Sequence, residues 1–175
     1  EHARLFDKIP ELPFSNVWVA KTVTPRIPEC SFLHFGVSNT LSSWTFFDVP
    51  PSVSTSANVG GRGIDGMLSA LIGASLVNTS ALHFGVLGDL TFFYDMNALG
   101  NRHVGKNLRI LLVNNGRGTE FRLYMHPGEK LMGKEADSYV AAAGHFGNQS
   151  PDLVKNYVTA LGFEYLLSLI HDSDP

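Results

Sequence analysis

Two short segments carry residues that could do chemistry together. The first is Gly88-Asp89-Leu90-Thr91. The second, roughly 25 residues further on, is Asn114-Asn115-Gly116-Arg117-Gly118. Asp89 offers a carboxylate and the asparagines offer amide oxygens. A turn around Gly116 would expose backbone carbonyls. All are hard oxygen ligands of the kind that Mg²⁺ or Ca²⁺ prefers. A helix beginning near Thr91 would aim its first N–H groups at the same place, where they favour phosphate. A divalent cation beside a helix amino end is, on physical grounds, a diphosphate site. Taken singly, Asp89 reads better as a helix cap and Asn114-Asn115 as a turn. Their joint spacing favours the site.

For the two segments to meet, each must leave the same edge of one sheet. Apolar runs at 31–37, 81–87 and 108–113 read as strands, with a short β-prone piece at 53–55. Helical stretches alternate with them. One covers 40–47 and is ended by Pro50 and Pro51. A second covers 63–78, where Ile64, Met67, Leu68, Leu71 and Ile72 recur at helical spacing. A third covers 90–102. Residues 16–23 allow either a short helix or a strand. Further on, 133–143 reads as helical, Ser150-Pro151 as a helix start stopped at Gly162, and 163–168 as a strand. This alternation predicts an α/β, doubly wound fold with a mostly parallel sheet and helices on both faces. Ligands of such folds sit outside the carboxyl ends of the strands, where both segments lie.

Composition narrows the function classes. The chain has 175 residues, 44% hydrophobic and 17% charged. That suits one domain with a normal core: residues 31–170 as a ligand-binding domain, with 1–30 as a lead-in segment. A net charge of −3 gives no electrostatic footprint for nucleic acid. No apolar run suggests a membrane span. The single cysteine, Cys30, excludes an internal disulfide and a cysteine-built zinc site, so a reducing, cytoplasmic compartment is the default expectation. His103 and His126 read as surface or loop residues, and Trp18 and Tyr139 as packing residues. The chain opens on Glu1 without a signal peptide, which suggests a piece of something longer.

The order Gly-Asp, roughly 25 residues, then Asn-Asn resembles the diphosphate and metal motif of thiamine-diphosphate enzymes. Gly36-Val37-Ser38-Asn39-Thr40, the stretch 58–66, and Tyr94-Asp95-Met96-Asn97-Ala98-Leu99 extend the likeness across most of residues 30–125. The pattern is most similar to the C-terminal, diphosphate-binding domain of 2-succinyl-5-enolpyruvyl-6-hydroxy-3-cyclohexene-1-carboxylate synthases of menaquinone biosynthesis. Acetolactate synthases and 2-oxoacid decarboxylases are more distant. The resemblance implies that Asp89, Asn115 and the Arg117 carbonyl hold Mg²⁺. It implies that Gly88, Leu90 and Thr91 meet the diphosphate. Ile64 would lie under the bent cofactor, with the Arg62 carbonyl on its aminopyrimidine ring. Thr40 and Trp44 would stand on the substrate side. The implied reaction decarboxylates a 2-oxoacid and transfers or releases the acyl group. The family's activating glutamate sits in a separate pyrimidine-binding domain, of the same or a partner subunit, in a homodimer or homotetramer. No segment here resembles that domain, so this chain alone is expected to be inactive.

Two other readings compete. A non-catalytic module of the same fold, kept for assembly or regulation, would retain the metal motif. The run Gly61-Arg62-Gly63-Ile64-Asp65-Gly66 also matches the G-x-G-x-x-G fingerprint of an NAD-binding domain, a weak signal by itself.

Overall fold

The computed structural model describes residues 9–61, 63–139, 145 and 150–167. Arg62 and the tail beyond 167 lie outside the described residues. Among the described residues four parallel strands form one sheet: β1 (Phe32–Phe35), β2 (Ser54–Ala57), β3 (His83–Gly88) and β4 (Leu108–Val113). Their spatial order is β2-β1-β3-β4. The chain leaves β1 toward one edge and β3 toward the other. The switch point therefore falls between β1 and β3, where open α/β sheets form their ligand crevice.

The α-helices among the described residues are α1 (Asn16–Val23), α2 (Asn39–Trp44), α3 (Met67–Val77), α4 (Asp89–Asp95), α5 (Pro127–Met132) and α6 (Leu153–Ala160). Residues 16–23 resolve as helix because Ser15 caps them: its hydroxyl accepts from the Trp18 N–H over 3.2 Å.

Both faces of the sheet are covered, as a doubly wound fold requires. On one face Leu87 packs with Met67, Leu68, Leu71 and Ile72 of α3, Phe92 and Phe93 of α4, and Val154 and Val158 of α6. On the other, Leu33, Phe35 and Val86 pack with Ala20 of α1 and Trp44 of α2. Val86 and Leu87 are neighbours in β3 and serve opposite faces, the period of two that strands impose. Gly85 lies between β3 and α3. A Cβ there would run into the Leu71 side chain, so the glycine sets how closely that helix docks.

Several boundaries differ from the sequence expectations. The helix expected over 63–78 begins at Met67, after Gly66 in the left-handed region (φ 82), so Ile64 lies in the preceding turn. The helix expected to start at Ser150-Pro151 begins at Leu153, because Ser150 spends its carbonyl on a turn that bonds the Leu153 N–H. Gly162 ends it with φ 87, as read. Residues 163–167 form no strand: Phe163 and Tyr165 pack on the α3 face, but the segment finds no ladder partner among the described residues. At 133–143 only a short 3₁₀ turn, Gly133–Ser138, is described before residue 140. Tyr139 is exposed there and does not pack. Helix α5 was not anticipated; it starts at Pro127, where the His126 ring nitrogen accepts from the Gly128 N–H.

Candidate functional site

The pairing of β3 with β4 runs in register to its end, with Gly88 opposite Val113. The next residues of the two strands are Asp89 and Asn114, so the two chemically interesting segments leave the sheet side by side. Asp89 is 2% exposed, and its Oδ1 accepts from the Leu90 N–H over 2.9 Å. It is the first residue of α4, so its carboxylate stands at that helix's amino end. Leu90 and Thr91 are buried behind it. Asn114, Asn115 and Arg117 are exposed on the facing loop. That loop turns at Gly116 (φ 70), and the Asn115 Oδ1 accepts from the Arg117 N–H over 3.2 Å. The turn brings the Asn115 amide oxygen and the Arg117 backbone into one bend. A Cβ built on Gly88 or on Gly116 would meet nothing within 4 Å, so both backbones can be approached closely.

The donor set fits a hard divalent cation: one buried carboxylate, one side-chain amide and one backbone carbonyl, all oxygen. Among the described residues no group of three or more His, Cys, Asp or Glu is gathered for a metal. A centre at this edge would therefore depend on the amide and carbonyl oxygens.

Ile64 is half-buried in the turn before α3. Thr40 is buried in the first turn of α2. Trp44, at the other end of α2, packs its ring on Phe35 with centroids 5.4 Å apart. It also lines a cavity of about 330 Å³ with Leu41, Phe47 and Ala57, on the α2 side of β1 and β2.

Two residues that matter to this edge were part of the family likeness but were given no role by sequence reasoning. Ser38, between β1 and α2, has φ 63 and ψ −127, a conformation normally left to glycine. It sits at the switch point, beside Gly36, whose own Cβ would come within 3.2 Å of the Val86 carbonyl. A serine carries no sequence mark of such a backbone. Asp95 is the second. Its Oδ2 accepts from the Ser69 N–H over 2.6 Å and its Oδ1 from the Ser69 hydroxyl over 2.7 Å. A signal did exist, because an acid closing a helix opposes the macrodipole unless another element uses it.

The same contact bears on the dinucleotide fingerprint. A bound pyrophosphate would need the amino end of α3, and the Asp95 carboxylate already occupies it. In addition, residues 58–66 separate β2 from α3, where the fingerprint requires a tight strand-to-helix turn.

The geometry defines a doubly wound α/β domain with oxygen-bearing side chains and backbone at and beside its switch point. Sequence comparison gives the particular relatives. The chain is 41% identical over 124 residues to a 2-succinyl-5-enolpyruvyl-6-hydroxy-3-cyclohexene-1-carboxylate synthase of Bacteroides fragilis, covering 71% of this chain and 22% of that protein. It is 39% identical over 139 residues to the synthase of the same name from Phocaeicola vulgatus, covering 78% and 25%. The counterpart from Bacteroides thetaiotaomicron is 38% identical over 133 residues, covering 76% and 23%. No family model matches the chain. The resemblance read from the motifs therefore holds: the chain is related to these synthases and spans about a quarter of their length or less.

Proposed function

We propose that this chain is the part of a thiamine-diphosphate enzyme that holds the diphosphate end of the cofactor through Mg²⁺. The observation that carries the reading is the Gly88–Val113 register, which sets Asp89 beside the Asn114–Gly118 loop in a chain related to the synthases. Asp89, the Asn115 amide oxygen and the Arg117 carbonyl would hold the metal. The backbone at Gly88, Leu90 and Thr91 would receive the phosphate oxygens. Ile64 and the neighbouring Arg62 carbonyl would meet the rest of the cofactor from the loop before α3. When bound, thiamine diphosphate supplies the carbanion and the electron sink for decarboxylating a 2-oxoacid.

The chain's own residues bind and orient. Asp89 brings a buried negative charge whose partner in the bound state is the metal. Because Leu90 donates to one of its oxygens, the carboxylate is held in orientation before the metal arrives. Thr40 and Trp44 are the substrate-side candidates. The parent protein would decarboxylate a 2-oxoacid and transfer or release the acyl group. A pyrimidine-binding domain, from the same or a partner subunit of a homodimer or homotetramer, would supply the activating carboxylate. The expected compartment is the cytoplasm. Among the described residues no helix is long and apolar enough to cross a membrane.

The test is calorimetric titration of the whole protein with thiamine diphosphate and Mg²⁺. Asp89→Asn is expected to weaken Mg²⁺-dependent binding by about a hundredfold or more, since even loss of a supporting group outside the ligands costs up to that much. Undiminished affinity in that variant would overturn the assignment.

A further inference from the structure

Helix α3 has no cap of its own. Its N-cap position is Gly66, in the left-handed region and without a side chain. The third helical residue, Ser69, carries one of the amino-end N–H groups that lack an intrahelical partner. Asp95, the last residue of α4, satisfies it from outside and takes the Ser69 hydroxyl with its other oxygen, over 2.6 and 2.7 Å. Both bonds are short and charge-assisted, and together they form a fork on a single residue. Helix α4 has seven residues, with Asp89 first and Asp95 last. One short rigid rod thus has the candidate metal ligand at one end and a clamp on α3 at the other. Phe92 and Phe93 pack this rod into the same cluster as Met67, Leu68 and Leu71 of α3. The loop carrying Ile64 enters α3 directly through Gly66, so the clamp holds the point at which that loop ends.

We propose that Asp95 is a positioning residue: by capping α3 from α4 it fixes the spacing between the Asp89 anchor and the Ile64 loop. The proposal rests on the cofactor reading above. On that reading the two ends of one bound molecule are held by these two segments, and the distance between them decides whether both can be engaged. A ligand that uses only the Asp89 end does not sense the clamp.

That difference supplies the experiment. The whole protein is titrated with Mg²⁺–thiamine diphosphate and, separately, with Mg²⁺–pyrophosphate, which lacks the part met by Ile64. In Asp95→Ala, thiamine diphosphate affinity is expected to fall about tenfold, the scale of a lost helix cap, while pyrophosphate affinity stays within about twofold. Ser69→Ala keeps the N–H bond and removes only the hydroxyl, so it should show a smaller loss with the same selectivity. Asp95→Asn keeps an acceptor for the Ser69 N–H and should recover most of the affinity. Equal loss of both ligands in Asp95→Ala and Ser69→Ala, or loss of neither, overturns the clamp. Asp89→Asn serves as the control: if it weakens neither ligand, the cofactor reading itself fails, whatever Asp95 does.

Discussion

The Asn39 side-chain amide donates to the Thr119 hydroxyl over 2.5 Å, joining residues 80 positions apart. Asn39 opens the helix after β1, and Thr119 closes the loop after β4. These two strands are not neighbours: β3 lies between them. The bond therefore passes across the carboxyl end of β3, where Asp89 begins α4, and ties down the loop that carries Asn115 and Arg117.

Thr119→Val keeps the side chain's shape and removes the acceptor. It is expected to cost about 1 kcal/mol of stability, the usual net worth of such a bond. A double-mutant cycle with Asn39→Ala in chemical denaturation should return a coupling of similar size. Strict additivity would show that the two side chains do not interact in solution.

Ser38 holds a backbone conformation that costs a non-glycine residue about 1–3 kcal/mol. Ser38→Gly relieves it, and part of that gain is offset by the greater freedom of glycine when unfolded. The expected outcome is a net gain of about 1 kcal/mol in denaturant unfolding. If the hydroxyl serves the site, activity of the whole protein drops in the same variant, so stability and function move in opposite directions. Ser38→Val should lose stability.

His34 lies in β1, 2% exposed, with Nδ1 on the Ser56 hydroxyl at 2.7 Å and a buried Nε2 that finds no hydrogen-bond partner among the described residues. Burial lowers its pKa from the ordinary value of 6.5, because taking the ring out of water disfavours its charged form. Below that value the unfolded chain binds the proton and the folded chain resists it. This contribution to stability is complete above the unfolded pKa and is lost as pH falls through it toward the lower folded value. Unfolding midpoints measured from pH 7.5 down to pH 5 should decline for the native protein. In His34→Phe the decline should be shallower. Identical slopes would remove His34 from the account.

Gly85 faces Leu71 with no room for a methyl group. Gly85→Ala should destabilise by about 1–3 kcal/mol through overpacking. Leu71→Ala alone should cost about 2–5 kcal/mol, since Leu71 is fully buried, and the double variant should lose less than the sum of the two because the second change empties part of the space that the first one fills. Thermal unfolding of the two single variants and the double variant decides this.

Much of the fold was legible because its signals are local. The apolar runs of β1, β3 and β4 and the helical spacing of Met67, Leu68, Leu71 and Ile72 need no tertiary knowledge. Their alternation implies a parallel sheet covered on both faces. The Gly88–Thr91 and Asn114–Gly118 segments were legible for the same reason: each follows a strand, and parallel strands release their loops on one edge. Misjudged boundaries have local causes that leave weak marks, such as Gly66 turning left-handed ahead of α3. Residues 163–167 read as a strand because their side chains suit one. A strand also needs a partner for its backbone, and periodicity says nothing about that.

Sequence by itself determined the alternation of the main strands and helices and the oxygen chemistry at two strand ends, since these follow from residue type and short-range spacing. Only the tertiary structure decided the β2-β1-β3-β4 order that creates a switch point. It also decided the Asn39–Thr119 tie across β3, the strain at Ser38 and the Asp95 fork on Ser69. Each of these joins groups from different elements or sets a backbone against its own preference. Such relations depend on how the chain packs in three dimensions, and neighbouring residues along the sequence do not encode them.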